Sequence, residues 1–295
     1  MLMSRKFIRP VLAMLVLLLT VGVFAYYLGH HPDILRQLKG LPISLVALLF
    51  AMYVVFLGTL AWIQRATLAL CDIRLGHKES LLLVAYSSII NFFGPLQSGP
   101  AFRAAYLKRK HGIKLKKYTL ATLLYYGFYA VFSGLFLATY FIGLPALLAT
   151  VAAVIIVALL LKGSRLVPLR FQALKLQHIG QLAVATLAQV SVFAVIFYTE
   201  LNSLGNHAGK IASLIYTGAA NFALFVSVTP GAIGFREAFV GFTKQLHNIP
   251  SHQIVTASLI DRGVYIAFLG LLAAIVFGFH AQNYLKPKAT DKNKS

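Results

Sequence analysis

Long apolar runs constrain this chain more than any other feature of its sequence. Six of them approach or exceed the roughly 20 residues that a helix needs to cross a bilayer. Backbone polar groups inside a bilayer must be paired within the segment, so such runs fold as helices. We therefore predict an all-α, polytopic membrane protein. The six predicted spans cover residues 11–28, 43–63, 118–141, 145–161, 181–201 and 254–279.

The composition agrees with this class and argues against several others. Of 295 residues, 59% are hydrophobic and 12% are charged, and the charged share is about half that of a soluble domain. The net charge of +20 lies mostly in short loops between apolar runs and not on a soluble basic module, so we do not expect nucleic acid as a partner. With one cysteine, Cys71, the chain cannot form an internal disulfide. No catalytic, metal or cofactor motif is recognisable, and we expect no metal, no cofactor and no enzymatic activity.

Two further apolar stretches are interrupted by proline and glycine. A helix breaks at such a pair, because proline lacks a backbone donor and glycine frees the backbone. At about 1.5 Å per residue, most of the halves are too short for a hydrocarbon core of roughly 30 Å. We predict two re-entrant broken-helix pairs, although tight full hairpins would place the loops on the same sides. The halves are residues 80–93 with 100–107, and residues 211–228 with 232–246.

The distribution of Lys and Arg favours one topology. With the N-terminus inside, the inner segments hold twenty basic residues and the outer segments hold four. Inner loops of membrane proteins carry this excess. We therefore predict that both termini lie in the cytoplasm. We expect one transmembrane domain over residues 1–282 and a disordered basic tail over residues 283–295. Residues 165–180 form either an interfacial helix or a basic loop.

Two parts of the chain resemble each other in three blocks that keep their order. The predicted repeats cover about residues 80–142 and 211–280. An odd number of spans separates them, so they should have opposite orientations in the membrane, as in many secondary transporters. The matching blocks are residues 86–92 with 216–222, 102–106 with 235–239, and 121–129 with 257–265.

Each break could present the start of a helix to the membrane interior. Thr229 is a plausible N-cap for the helix after the second break, where Gly231 loosens the backbone. Ser98 is the corresponding cap after the first break. The free N–H groups and the helix dipole would then direct positive charge into the interior, which favours an anionic ligand.

Charged residues within the apolar segments support the same hypothesis. Arg103, Arg236 and Arg262 carry three positive charges against the two negative charges of Glu237 and Asp261. Charges at this depth are costly and usually functional. We therefore predict a pocket that binds an anion such as a phosphate. The alternative is that the acids only neutralise the arginines and hold the helices together.

Three other polar residues bear on this pocket. Asn91 and Asn221 occupy matching positions of the two repeats, and they either line the site or join helices by hydrogen bonds. Glu200 would cancel the remaining positive charge, but it lies at the outer end of its apolar run. We expect water to solvate it there.

The second break also carries a family resemblance. Residues 229–237 read TPGAIGFRE and are followed by SLIDR at residues 258–262. This pattern resembles the flippase-like membrane domain of lysylphosphatidylglycerol synthases and its stand-alone relatives. The similarity extends over about residues 10–280.

The first repeat matches the family pattern P-x-R-x-G-E-x-x-R only in part. Pro95, Gly99 and Arg103 agree with it, whereas Gln97 replaces the basic residue and Pro100 replaces the acid. The first half of the predicted site therefore lacks the acid of the family pattern.

The resemblance implies movement of lipids with polar headgroups between the leaflets of a bacterial inner membrane, such as aminoacylated phosphatidylglycerol or polyprenyl-phosphate-linked sugars. The sequence lacks the aminoacyl-transferring domain of the synthases, so we predict a lipid flippase without synthase activity. Membrane lipids are the expected partners, and a glycosyltransferase or lipid-modifying enzyme is a further candidate partner. The alternatives are a small-solute or ion-coupled transporter, and a non-transporting membrane subunit of such an enzyme system.

Overall fold

A computed structural model describes residues 40–93, 98–163, 176–203, 208–226 and 235–285, with the single positions 26, 29, 32 and 36. The described part is helical and contains no strand, which confirms the predicted all-α class. Nine helices follow one another in it. They are α1 (Ile43–Leu70), α2 (His77–Phe93), α3 (Ser98–His111), α4 (Leu115–Gly163), α5 (Leu176–Ser203), α6 (Lys210–Val226), α7 (Phe235–Phe242), α8 (Lys244–His247) and α9 (Ser251–Leu285).

Four of these helices are long and apolar enough to cross a bilayer, namely α1, α4, α5 and α9. Each lies where the sequence predicts at least one span, and α4 covers two of the predicted spans. The first predicted span, residues 11–28, lies outside the described residues apart from Tyr26. The total of six spans therefore stays a prediction.

Helix α4 is interrupted at Gly143. The backbone there has φ 75° and ψ 165°, a conformation that only glycine adopts readily. Pro145 follows and lacks the N–H that would continue the helical hydrogen bonds. Leu147, after the break, packs in the same buried cluster as Phe132 and Phe136 before it. The 49 residues of α4 are therefore two helical segments and not one straight rod.

The predicted broken pairs appear as two packed helix pairs. Helices α2 and α3 contact each other, and so do α6 and α7. The interruptions themselves, residues 94–97 and 227–234, lie outside the described residues, and Thr229 and Gly231 lie there with them. The pairing is thus visible in the structure, whereas the caps and the re-entrant course stay predictions.

Two glycines allow neighbouring helices to come into backbone contact. A Cβ atom added to Gly99 of α3 would lie 2.6 Å from the carbonyl oxygen of Ser87 on α2. One added to Gly218 of α6 would lie 2.5 Å from the backbone nitrogen of Leu137 on α4. No side chain fits at these distances. Small residues bring membrane helices together in this way, so both contacts depend on glycine.

Glu79 joins α2 and α3 at the ends that lie away from the break between them. Its Oε1 atom accepts a hydrogen bond from the hydroxyl of Tyr106 (2.6 Å) and lies 2.9 Å from Lys110 Nζ and 2.8 Å from His111 Nε2. The hydrogen bonds from Tyr106 and His111 lower the pKa of Glu79 to about 2. The carboxylate is therefore ionised at neutral pH and ties the two helices at their polar end.

The helices bury a core of apolar and polar side chains and expose other apolar side chains on the outside. Helix α5 packs against α1, α4, α6 and α9, and α9 also contacts α1, α2 and α7. The largest cluster includes the buried residues Leu49, Tyr216 and Leu269. On the outside, Phe242 is 88% exposed and Phe141 is 76% exposed. A bilayer would cover such apolar faces.

Most helices extend beyond the predicted apolar runs, and two of these extensions reach segments for which the sequence predicts another structure. Helix α9 continues to Leu285, so residues 283–285 belong to the helix and not to a disordered tail; residues 286–295 lie outside the description. Helix α5 begins at Leu176, so residues 176–180 belong to a long helix and not to a loop. Extending an existing helix by one residue adds a hydrogen bond at little cost, which favours continuation beyond the apolar run.

Candidate functional site

A cavity of about 220 Å³ lies among the described helices. Residues from α1 to α7 and from α9 line it, and most of its wall is aromatic or aliphatic. Arg103, Arg236 and Arg262 all reach this cavity, and so does Asp261. It is smaller than the roughly 300–1,000 Å³ of typical ligand pockets. Its size therefore suits a small polar group rather than a whole lipid.

Arg236 and Asp261 form a buried ion pair between α7 and α9. The Nη1 atom of Arg236 donates to Oδ2 of Asp261, and the hydroxyl of Tyr53 on α1 donates to Oδ1 of the same carboxylate. The guanidinium also lies 4.4 Å from the ring centre of Phe197 on α5, an arrangement that favours a cation. Arg236 is 8% exposed and Asp261 is 6% exposed. Three helices thus converge on one carboxylate.

A second ion pair lies directly beside the first. The Nη2 atom of Arg262 is 2.8 Å from Oε1 of Glu237, and the hydroxyl of Ser258 donates to the same oxygen. The Nε atom of Arg262 donates to the Ser258 hydroxyl oxygen over 3.3 Å. In the first pair α7 supplies the arginine and α9 the acid, and in the second pair α9 supplies the arginine and α7 the acid. Two ion pairs of opposite polarity therefore join α7 and α9. Both arginines are neutralised, as in the alternative in which the acids hold the helices together.

Arg103 differs from the other two arginines. Its Nη1 atom donates to Oε1 of Gln64 on α1 over 3.1 Å, and its buried Nε atom has no partner within the described structure. Among the described residues, no carboxylate lies within ion-pair distance of it. A neutral amide cannot balance a guanidinium charge. The cavity therefore contains one cation that the described protein leaves unneutralised.

Matching positions of the two predicted repeats line this one cavity. They are Asn91 with Asn221, Arg103 with Arg236, and Tyr129 with Tyr265. Sequence similarity and spatial position thus agree for these residues, although the orientation of the repeats in a membrane stays a prediction.

The two halves differ at the positions that hold the acids. The repeat match places Ala104 opposite Glu237, and Tyr125 opposite Asp261. Tyr125 lines the cavity and donates to Oε1 of Gln189 on α5 over 3.0 Å. The first repeat therefore retains its arginine but has a methyl group and a phenol where the second has carboxylates. This difference explains why Arg103 has no carboxylate partner among the described residues.

The remaining predicted site residues have mixed surroundings. Asn91 accepts a hydrogen bond from the backbone N–H of Gly99 over 3.3 Å, so it joins α2 to α3 while also lining the cavity. The Nδ2 atom of Asn221 is buried and has no partner in the described part of the protein. The hydroxyl of Ser98 donates to the carbonyl oxygen of Ile90 over 2.9 Å and so ties α3 to the preceding helix.

The expectation for Glu200 is wrong. Its side chain is fully buried, and it interacts electrostatically with Asp261 and Arg236. The position of Glu200 at the end of an apolar run predicts exposure to water, but α5 packs against its neighbours at this level. Tyr53 and Gln64 on α1 also bind charged groups of the cavity, and the sequence does not indicate this role. Their signal is weak, since one polar residue within an apolar run is common.

One family model matches almost the whole chain. It is described as the lysylphosphatidylglycerol synthase TM region and matches residues 8–273. No curated protein and no solved structure matches the chain. The matched part contains the cavity and all the charged residues that line it.

Proposed function

The chain belongs to the family of the lysylphosphatidylglycerol synthase transmembrane region, and from this premise we propose that it is a lipid flippase. It is an integral membrane protein with apolar helices long enough to cross a bilayer. The proposed substrate is a lipid with an anionic, phosphate-bearing headgroup, such as a phospholipid or a polyprenyl-phosphate-linked sugar. The chain acts as a transporter in this proposal and not as an enzyme.

The charge of Arg103, which is left without a carboxylate partner, is the observation that carries the proposal. It is the cavity arginine whose charge no described carboxylate neutralises. A guanidinium presents paired N–H donors that match phosphate oxygens and remains charged at any physiological pH. An anionic headgroup would supply the missing negative charge, while the acyl or prenyl chain stays in the bilayer.

The second half of the cavity has a supporting role in the proposal. Arg236 and Arg262 are paired with acids, so they contribute a polar wall with little net charge. Asn221 offers an amide that lacks a partner among the described residues. The headgroup would be anchored by Arg103 and oriented by these groups. Thr229, Gly231, Ser98 and Asn91 remain proposed members of the site.

The proposed topology comprises six spans and two re-entrant pairs. Gly143 divides α4 into two crossings, and the apolar run at residues 11–28 supplies a further one. Helices α2, α3, α6 and α7 have 17, 14, 17 and 8 residues. At about 1.5 Å per residue they reach roughly 12–26 Å, less than the roughly 30 Å of the hydrocarbon core. Both termini would lie on the cytoplasmic side of a bacterial inner membrane.

Cysteine labelling distinguishes re-entry from full hairpins. In a Cys71→Ser background, we expect Leu96→Cys at the first break to resist an impermeant maleimide added outside. Lys114→Cys serves as the control for the inner side and Lys244→Cys as the control for the outer side, since both lysines are exposed. Labelling of Leu96→Cys from outside would contradict the re-entrant course.

Reconstitution tests the function directly. Purified protein in liposomes is expected to move a fluorescent phosphatidylglycerol from the inner to the outer leaflet, where an impermeant reductant bleaches it. The matched phosphatidylcholine, with the same acyl chains and no net charge, is expected to move more slowly. Protein-free liposomes are the control. If neither lipid moves faster than in protein-free liposomes, the flippase proposal is wrong for phospholipids, and the same assay is repeated with a polyprenyl phosphate before the proposal is abandoned.

A further inference from the structure

Glu200 is a buried carboxyl group that forms no ion pair and no hydrogen bond with a described residue. It lies in the last turn of α5 and is fully buried. Neither of its carboxyl oxygens has a hydrogen-bond partner among the described residues. The other two acids near the cavity differ, since Asp261 is paired with Arg236 and Glu237 with Arg262. Glu200 is therefore the acid whose charge is unbalanced.

The groups that interact electrostatically with Glu200 come from four other helices. Tyr53 on α1, Tyr216 on α6, Arg236 on α7 and Asp261 on α9 all interact with it electrostatically. From α4, Tyr125 donates a hydrogen bond to Gln189 of α5, which lies about three helical turns before Glu200. Two phenols, one guanidinium and one carboxylate thus contribute to the electrostatic environment of Glu200.

Arg236 has unused donors in the same cluster. Its Nη1 atom binds Asp261, but its Nε and Nη2 atoms are buried and have no partner in the described structure. A buried donor or acceptor without a partner is costly. The two donors of Arg236 and the two acceptors of Glu200 are complementary, and no ion pair joins them in the described structure. A pairing between them therefore requires the Arg236 side chain to turn.

We propose that Glu200 is a proton-binding site that couples proton movement to the proposed lipid transport. While Arg236 is paired with Asp261, their charges cancel, and an ionised Glu200 would leave one negative charge buried. Such a charge is strongly unfavourable without a partner. Glu200 therefore holds a proton in this arrangement.

The proton leaves when Arg236 changes partner. If the guanidinium turns from Asp261 to Glu200, the O–H proton of Glu200 passes to the carboxylate of Asp261. Arg236, Asp261 and Glu200 together share one carboxyl proton and have no net charge before and after this step, so charge balances. Asp261 lines the cavity, whereas Glu200 does not. The transfer thus brings a buried proton to a group that faces the headgroup site.

The coupling rests on the proposed function, whereas the proton site itself does not. Asp261 lines the cavity, so an anionic headgroup there would disfavour the negative charge of Asp261 and favour transfer of the proton to it. Proton binding by Glu200 can be measured without any lipid movement.

Infrared spectroscopy of the isotope-labelled chain tests the proton site. The sequence contains three glutamates, Glu79, Glu200 and Glu237. Glutamate labelled with ¹³C at the side-chain carboxyl carbon therefore marks few groups. In protein reconstituted at neutral pH, we expect a ¹³C-shifted carbonyl band of a neutral carboxyl group. Glu200→Gln should lose this band, and the matched variants Glu237→Gln and Glu79→Gln should retain it, because those acids are ion-paired.

Two results would overturn the proton site. One is the absence of a neutral carboxyl band in the labelled parent protein, which needs no variant and no folding control. The other is a band that Glu237→Gln or Glu79→Gln removes. A band assigned to Glu200 in a protein that moves no lipid would support the proton site and count against the flippase. Lipid movement without the band would do the reverse.

Discussion

Replacing Arg236 with glutamine is expected to lower the free energy of unfolding by about 3–5 kcal/mol, the usual cost of removing one partner of a buried ion pair. Asp261 would then lie in a site that is 6% exposed, with a hydrogen bond from Tyr53 but without a cation. Thermal or denaturant unfolding in detergent micelles measures the loss. Arg262→Gln is the matched control and should cost less, because the side chain of its partner Glu237 is 24% exposed against 9% for Asp261.

A double variant separates stability from function. Arg236→Gln combined with Asp261→Asn removes both charges and should regain most of the lost stability, since no buried charge remains. Asp261→Asn alone should cost less than Arg236→Gln, because Arg236 can then turn to Glu200. Equal instability of the single and double variants would contradict a charge-balancing role. In the proposed mechanism the stable double variant still fails to couple lipid movement to protons.

Replacing Arg103 with glutamine is expected to weaken binding of an anionic lipid by about 10- to 100-fold, the loss of one charge-assisted contact of about 1.5–3 kcal/mol. The fold should persist, since the partner of Arg103 is the neutral Gln64 and no buried carboxylate is left behind. Affinity for a fluorescent phosphatidylglycerol in nanodiscs measures the effect, and the initial rate in liposomes should fall with it.

Two further variants make the Arg103 result specific. Arg109→Gln removes an exposed charge from the same helix and should leave binding nearly unchanged. Arg103→Lys keeps the charge but loses the planar pair of donors, so its affinity should fall between those of the parent and Arg103→Gln. If Arg103→Gln binds and moves the anionic lipid like the parent protein, the headgroup site lies elsewhere.

Much of the helical architecture follows from local features. The apolar run at residues 43–63 predicts α1, and the interruption near Gly143 falls where a loop between two spans is expected. Helix existence depends on hydrophobicity and on proline and glycine, which are visible in a short window. Helix ends are less predictable, as α9 shows by continuing to Leu285, because extension costs little once a helix exists.

The candidate site was predictable in its members but not in its pairing. Charged residues inside apolar runs identify Arg103, Arg236, Arg262 and Asp261, and all four line the cavity. The sequence does not show that Tyr53, from a helix about two hundred positions earlier, binds the carboxylate of Asp261. That contact requires α1 and α9 to lie side by side, which depends on packing across the whole helix bundle.

The sequence by itself determined the helices, the membrane environment and the lack of an acid in the first repeat, where Ala104 and Tyr125 stand in the positions of Glu237 and Asp261. These are properties of residue identity and spacing. Only the tertiary structure decided which charges cancel and which do not. It pairs Arg236 with Asp261, leaves Arg103 with an amide, and encloses Glu200 that the sequence placed in water. The reason is physical: the free energy of a charge depends on the groups within a few ångströms of it, and packing between distant helices supplies those groups.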